Sequence, residues 1–581
     1  MNNRTGTIGC ELEAFRLREV HFGMIVCRLL LAGGMLFVAG VLPRMVVAAP
    51  CPPPAKVANE RWPGQAQWLA IQQSGRRYGE IRIEVDNVYD LAHPREDVWY
   101  TRTANFLHIR TRKWVVDHLL LIRAGAPVDA RQVYEAIRHL RDQAFLRGAD
   151  ITPIGCTNGM VNVLVQVRDA WTLKIDTRFA RAGNANEWRF KLEDSNFLGS
   201  GRTLAIGHQK TIERSMNVLE YLSPTFLDTD WTMAAYYEDL SDGKLESLAL
   251  SQPFLLDTTP WGSGLSLLDQ HLNLDFYNRG VQAWYLPQRE QQFQGDWQRL
   301  LGFHGETALR AGLAVDYERY RYGVPVLVNP GELPAPVPYP RTLAGVGPIV
   351  SLHQDRFATF TDIREVARIE DYNLGWDVSA QVLIDSTALG ASATGPDVSV
   401  TASKGFEPLP KWLVLADGSL SARHAGGLWR NEAFDAEATA YGQPWRRQTL
   451  VFHVDYASLL HPDPENRLYI GAFQALRGYP NFYATGTRRM RMTIADRIVT
   501  PMVWFHTFQV GFVVFNDDAI IDRGAGQGWS PWYSSVGAGL RIGNLRGSFN
   551  RVLYFTVAEP LHTDLGVRRS PEIVVGDVLS F

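Results

Sequence analysis

Apolar and polar positions alternate with two different periods along this chain, and the change from one to the other divides it. Between about residues 78 and 168 both periods occur. Ile81, Ile83 and Val85 alternate as a strand does, and Thr111 then opens a helical pattern that puts Val115, Leu119 and Ile122 on one stripe before Gly125 stops it. Asp129 is placed to cap a second helix, with Gln132 in the capping-box position and Val133, Ala136, Ile137 and Leu140 as the buried stripe. Two strands, about Gly148 to Ile154 and Met160 to Val167, close the unit. The predicted order is β-α-α-β-β in about 90 residues.

From Trp171 onward helical periodicity gives way to period two, in segments of about ten residues punctuated by Gly, Pro, Asn and Asp. Trp171, Leu173, Ile175 and Phe179 share one parity, and Thr172, Lys174, Asp176 and Arg178 the other. Trp188, Phe190 and Leu192 alternate with Glu187, Arg189, Lys191 and Glu193 in the same way. A soluble sandwich also alternates, but such domains rarely exceed about 250 residues, whereas this pattern runs for about 410. After residue 50 no stretch reaches the roughly 18 uncharged apolar residues that a spanning helix needs. The nearest, Val499 to Phe515, reads as a strand whose wetter face carries Thr507 and Gln509. A tilted spanning strand takes about 9–11 residues. About 16 strands would then leave roughly 15 residues per connection, with stretches such as the proline-rich Gly323–Gly347 as long loops. Trp231, Tyr236, Trp284, Trp376, Trp504 and Trp532 suit interfacial girdles if they fall at strand ends.

Composition adds little, since 46% hydrophobic residues in a 581-residue chain would equally suit a soluble multidomain protein. The N-terminus adds more. An apolar stretch from Met24 to Leu42, ahead of Ala48 and Ala49, reads as an export signal over residues 1–49, with Met24 an alternative start and a retained anchor the alternative fate. Residues 50–77 then read as a linker. After cleavage only Cys51 and Cys156 remain; they could form one disulfide in an oxidising compartment or stay as two free thiols, and sequence does not choose between them. A net charge of −3 with interspersed signs gives no electrostatic case for nucleic acid. Gly199-Ser200-Gly201-Arg202-Thr203 lacks the frame of a phosphate loop, Gly528-Trp529-Ser530-Pro531-Trp532 lacks the last glycine of a nucleophile elbow, and the histidines lack metal-ligand spacing. The chain is therefore expected to be no enzyme and to hold no cofactor or metal.

One pair of motifs stands out. Leu476-Arg477-Gly478-Tyr479 lies between two alternating segments, and Phe515-Asn516-Asp517 follows it. Arginine presents a planar fork that suits a fixed bidentate bond to a carboxylate. Asp517 shares the wetter parity with Phe515, Gln509 and Thr507, and is the expected partner of Arg477 in the lumen. Gly478 permits a turn or close approach, and Tyr479 offers an apolar body with a polar tip. The C-terminal Gly576-Asp577-Val578-Leu579-Ser580-Phe581 sets Leu579 and Phe581 on one parity.

These residues resemble the BamA/TamA-type superfamily of outer-membrane proteins, the bacterial surface antigen family. Leu476 to Tyr479 match its hydrophobic-Arg-Gly-aromatic motif, and Phe515 to Ala519 match Phe-x-Asp-x-Gly except for Ala519 in place of glycine. Gly576, Leu579 and Phe581 look like its C-terminal β-signal. Asn196 to Arg202, Arg368 to Gly375 and Val536 to Arg541 are further family-like stretches, and the β-α-α-β-β unit resembles a POTRA domain over residues 78–169. The resemblance implies a 16-stranded monomeric barrel over residues 170–581 in the bacterial outer membrane, with the POTRA unit in the periplasm. It also implies insertion or translocation of other proteins without ATP. Arg477, Gly478, Tyr479, Phe515 and Asp517 would then form a lumen latch, and the expected partners are outer-membrane lipids and an extended client polypeptide added to the POTRA sheet edge. A passive channel for solutes is the alternative.

Overall fold

The computed structural model describes residues 51–55 and 62–576, except 183–184, 331–336, 367, 525, 548–551 and 564–570. The expected signal segment, Leu579 and Phe581 lie outside the described residues. The N-terminal α+β domain runs α1 (Gln65–Gln73), β1 (Arg77–Asp86), α2 (Trp99–Leu107), α3 (Lys113–Leu119), α4 (Ala130–Arg141), β2 (Leu146–Thr157) and β3 (Met160–Asp169). Its sheet has the order β1-β3-β2, with β1 parallel and β2 antiparallel to β3. The even spacing of Val161, Val163, Val165 and Val167 puts all four on the face under the helices, where they meet Val115, Leu119, Val133 and Leu140 with no exposed surface to speak of. Asp129 caps α4 by accepting from the Arg131 amide. Gln132 does not complete the capping box; its side chain donates to the Leu121 carbonyl instead.

Two helices exceed the expected β-α-α-β-β order. α1 lies inside the stretch read as linker, and its Trp68 indole is buried and donates to the Ile151 carbonyl at 3.2 Å. α2 interrupts the path from β1 to α3. Cys51 and Cys156 form a disulfide with Cα atoms 5.0 Å apart, which ties the segment before α1 to β2.

The rest of the chain closes into a barrel of 20 antiparallel strands, from Leu173–Ala182 to Glu572–Gly576, which pair with each other at Ile573↔Arg181, Val574↔Ala180 and Val575↔Phe179. The expected count of about 16 was too low because it spent too much chain on connections. Several hairpins turn on two residues, as at Ser241-Asp242, Arg279-Gly280, Gly305-Glu306 and Gly426-Gly427. The stretch Val499–Phe515 is likewise a hairpin, between strands Arg488–Trp504 and Phe508–Asp522, and not one strand. The loop expected to reach Gly347 ends where strand Arg341–Gln354 begins.

The faces of the wall follow the alternation. Leu173, Ile175, Phe179, Trp188, Phe190 and Leu192 point outward and are exposed. On the inward parity, Arg189 pairs with Asp176 at 2.9 Å, Lys174 with Glu193 at 2.9 Å and Lys191 with Glu220 at 2.9 Å. An apolar exterior around a charged interior is the inverse of a soluble fold, and a closed barrel leaves no unpaired edge, so this wall is built to face lipid. Trp376, Trp504 and Trp532 are exposed at or beside strand ends as a girdle requires. Trp284 is not part of it: it is buried and stacks on Phe276 at 3.8 Å.

The domain sits across the barrel mouth from which the first strand leaves, here termed proximal. Arg131, Arg138 and Arg141 on α4 pair with Asp257, Asp355 and Asp371 in proximal connections, the last two at 3.3 Å. Glu96 pairs with Arg546, and Tyr89 Oη meets Thr507 Oγ1 at 2.8 Å. The family-like stretch Asn196–Arg202 is a turn at this joint. Asn196 donates to Thr111 Oγ1 at 2.8 Å, and a Cβ on Gly201 would lie 2.7 Å from Val115, so only glycine permits the approach.

His139 on α4 gives this domain an acid limit. Burial, and then the charge of Arg138, push its imidazole down to about 4. Unfolded histidine titrates near 6.5, so between those values the unfolded domain binds the extra proton, and stability is lost as pH falls from about 6.5 to about 4. His139→Gln is expected to flatten that part of the pH–stability profile in the full-length protein. An unchanged profile would contradict the assignment.

Candidate functional site in the barrel lumen

The connection between strands Gln448–Leu460 and Arg488–Trp504 lies at the distal end and folds back into the lumen. A short stem, Leu468–Ile470 paired with Ala484–Gly486, carries Leu476 to Tyr479 at its tip. Arg477 is 3% exposed and Asp517 0%. Arg477 Nε donates to Asp517 Oδ2 at 2.7 Å and Nη2 to Oδ1 at 2.7 Å, the two-pronged geometry that fits a guanidinium to a carboxylate. Thr493 on the neighbouring strand adds a bond to Oδ1 at 2.9 Å. The guanidinium carbon also lies over the Phe515 ring, 3.4 Å from its centroid.

Phe515 is held by what faces it. Across the ladder its partner is Gly537, and a Cβ there would come within 2.2 Å of the ring. The family-like glycines of strand Tyr533–Asn544 thus leave room for an aromatic ring to lie on the wall and present its face to Arg477. Gly478 has φ 91°, and its amide donates to Glu572 of the last strand at 2.5 Å. Tyr479 is fully buried beside Tyr483 and Tyr533, with its hydroxyl within reach of the carbonyls of Ser534 and His562 at 3.1 and 2.6 Å. Ala519, the departure from the family motif, packs in the same cluster.

The loop also grips the other side of the closure. Phe473 lies under Arg178 of the first strand at 4.3 Å, and Asn481 donates to Glu187 of the second at 3.2 Å. Phe482 stacks on Tyr277 at 4.2 Å, farther round the wall. One loop therefore joins the last strands to the first from within. Gly576 lies on the last strand, where an added Cβ would come within 3.0 Å of the Arg178 side chain.

A second insertion enters from the proximal end, and sequence reading did not identify it as such. The connection between strands Arg341–Gln354 and Trp376–Asp385 forms a hairpin, Phe357–Thr361 with Ile369–Asn373. Its tip puts Ile363 and Val366 against Leu413, Tyr441, Val513, Phe515 and Tyr554 inside the barrel. The family-like stretch Arg368–Gly375 supplies the second strand. Glu370 accepts from the amides of Ile363 and Arg364 at 2.9 and 3.0 Å and so fixes the tip, while Asn373 Oδ1 accepts from Arg356 and Gly375 at 3.1 and 2.7 Å. Phe515 touches both insertions: one face carries Arg477, and the residue belongs to the buried cluster of the proximal tip.

Asp257, His353 and Asp355 come close enough together to suggest a cation site. Their carboxylates are already engaged by Arg131, Arg310 and Arg138, so the charge that a metal would supply is present.

Removing one partner of a buried ion pair leaves an uncompensated charge, at a cost of about 3–5 kcal/mol. Arg477→Ala is expected to lower the temperature at which the purified barrel loses its heat-modifiable gel mobility. Gly537→Val should do the same by pushing Phe515 off the wall. The double variant should lose less than the sum of the two, because both break the Arg477–Phe515 contact; full additivity would contradict that coupling.

No protein-family model matches the chain, and no curated protein matches it by sequence. Among solved structures it is similar to BamA from Haemophilus ducreyi lacking POTRA domains 1–3, at 11% identity and a TM-score of 0.35, over 86% of this chain and 84% of that one. It is also similar to CdiB from Acinetobacter baumannii, at 11% identity and a TM-score of 0.40, over 86% of this chain and 73% of that one. The FrpB iron transporter from Neisseria meningitidis aligns over 86% of this chain and 94% of that one, at 9% identity and a TM-score of 0.37. Alignments of this depth carry no assignment, and the residues of the lumen have to supply the functional reading.

Proposed function

We propose that this chain is an outer-membrane protein that inserts or translocates other proteins without ATP. The observation that supports the reading is the distal loop, whose Arg477–Asp517 pair and Gly478–Glu572 bond hold the last strands while Phe473 and Asn481 hold the first two. A loop that staples the closure of a barrel from inside suits a wall that is held shut and released. The N-terminal domain, in this reading a periplasmic POTRA domain, offers an extended client a sheet edge at β1 or β2, where main-chain pairing needs no particular sequence. Its α4 arginines reach the proximal hairpin through Asp371. Binding of a client at the domain is thereby linked to the lumen.

Two insertions in the lumen disfavour a passive pore for solutes. Purified protein in a planar bilayer is expected to give small, flickering openings, and Arg477→Ala larger ones. Steady large openings in the unaltered protein, saturable by one class of solute, would instead support the channel. A deletion strain should lose a few proteins from its outer membrane or secreted fraction. No change in either fraction would overturn the proposal.

A further inference from the structure

α2 turns three large apolar side chains to the outside among the described residues. Trp99, Phe106 and Leu107 are 77%, 87% and 65% exposed, on the same side of the helix as Thr103. The other side is fixed by polar contacts: Thr101 is buried and bonded to the carbonyl of Val98, and Asn105 exchanges two hydrogen bonds with the backbone of Tyr89. The helix is held in place by its polar face, with its apolar face turned away from the protein. A patch of this kind marks an interaction surface.

Its place on the rim says what covers it. Tyr100 meets the Phe505 ring edge-on at 6.2 Å, at the proximal turn after strand Arg488–Trp504. Beyond the helix, His108 lies against Trp171 at 6.3 Å, and the Arg112 amide donates to the Gly199 carbonyl at 3.0 Å. α2 and the residues after it thus run along the proximal rim, beneath the joint of the first and last strands. The turns at both ends carry exposed apolar residues of their own, Met502, Trp504 and Phe505 at one and Phe197 and Leu198 at the other. α2 therefore lies on the rim between two groups of exposed apolar residues.

Charge points the same way. Arg95, Arg110, Arg112 and Lys113 are exposed around α2, whereas the acidic Glu96 and Asp97 are paired with Arg546 and Arg102 respectively. An apolar face bordered by basic residues is the pattern of a helix lying in the interface of a membrane with anionic lipid. We infer that α2 is an interfacial helix that seats the N-terminal domain in the headgroup–acyl boundary of the proximal leaflet, on anionic phospholipid. The inference rests on the reading that the barrel spans a bilayer.

The test uses the full-length protein in nanodiscs of phosphatidylethanolamine and phosphatidylglycerol, with Cys10 and Cys27 replaced by serine and the native disulfide kept. A nitroxide is placed by Phe106→Cys and, as a second position on the same face, by Trp99→Cys. Glu80→Cys, exposed on β1 at the end of the sheet away from the barrel, serves as the aqueous reference, and Leu313→Cys, on an outward wall position, as the lipid reference. Collisions with oxygen and with a water-soluble nickel chelate are compared by power saturation. Labels at 99 and 106 are expected to favour oxygen as the label at 313 does, and the label at 80 to favour nickel. Nickel access at 99 and 106 with lipid behaviour at 313 would overturn the inference alone. Nickel access at 313 as well would overturn the membrane reading beneath it. Shielding of 99 and 106 from both reagents would mean a protein–protein face and would also overturn the inference.

Discussion

Asp517 is a carboxylate with no exposed surface on the wall of a barrel, and the lumen is organised around the guanidinium that neutralises it. Taking both charges out of water costs several kcal/mol per ion and is offset only by good geometry and further hydrogen bonds. Here two short bonds, a third from Thr493 and the face of Phe515 supply them. The pair fixes Arg477, and with it the adjacent residues of the loop tip. Gly478 can then reach Glu572, and Tyr479 the carbonyls of Ser534 and His562. Phe515 in turn needs the space that Gly537 leaves, and it shares a buried cluster with the proximal insertion. Both ends of the lumen are therefore keyed to one contact.

The same chain also couples this contact to the N-terminal domain. α4 places three arginines against three aspartates of the proximal connections, and Asp371 lies on the hairpin whose tip packs beside Phe515. A shift of the domain cannot leave that hairpin unaffected without separating paired charges. The path from Arg141 runs through Asp371 and the hairpin into the buried cluster that contains Phe515, and it needs no action at a distance.

Period-two alternation was legible because a membrane barrel turns its apolar parity outward along its whole length, as Leu173 to Phe179 and Trp188 to Leu192 do. The pairing of Arg477 with the inward-facing Asp517 was legible for the same reason, since parity settles which face a carboxylate takes. Other features left no such mark. α1 buries little besides Trp68 and Ile71 between small or polar residues, and α2 points its apolar side away from the domain, so neither wrote a core stripe. The hairpin within Val499–Phe515 turns on Phe505 and His506, both at φ 51°, where glycine or asparagine would have signalled a turn. The strand count depends on connection lengths that alternation does not encode. Glu370 gave no hint of its work because the two amides it binds are brought to it only by the fold-back of the hairpin tip.

The central claim is that the loop pair of Arg477 and Asp517 holds the closure of the barrel. Amide hydrogen exchange on the protein in nanodiscs tests it most directly, by comparing unaltered protein with Asp517→Asn. Exchange is expected to rise in Leu173–Ala182 and Glu572–Gly576, on either side of the closure, and to stay unchanged in the remote strand Thr307–Tyr322. Unchanged protection at the closure, or a uniform rise over all three segments, would contradict it.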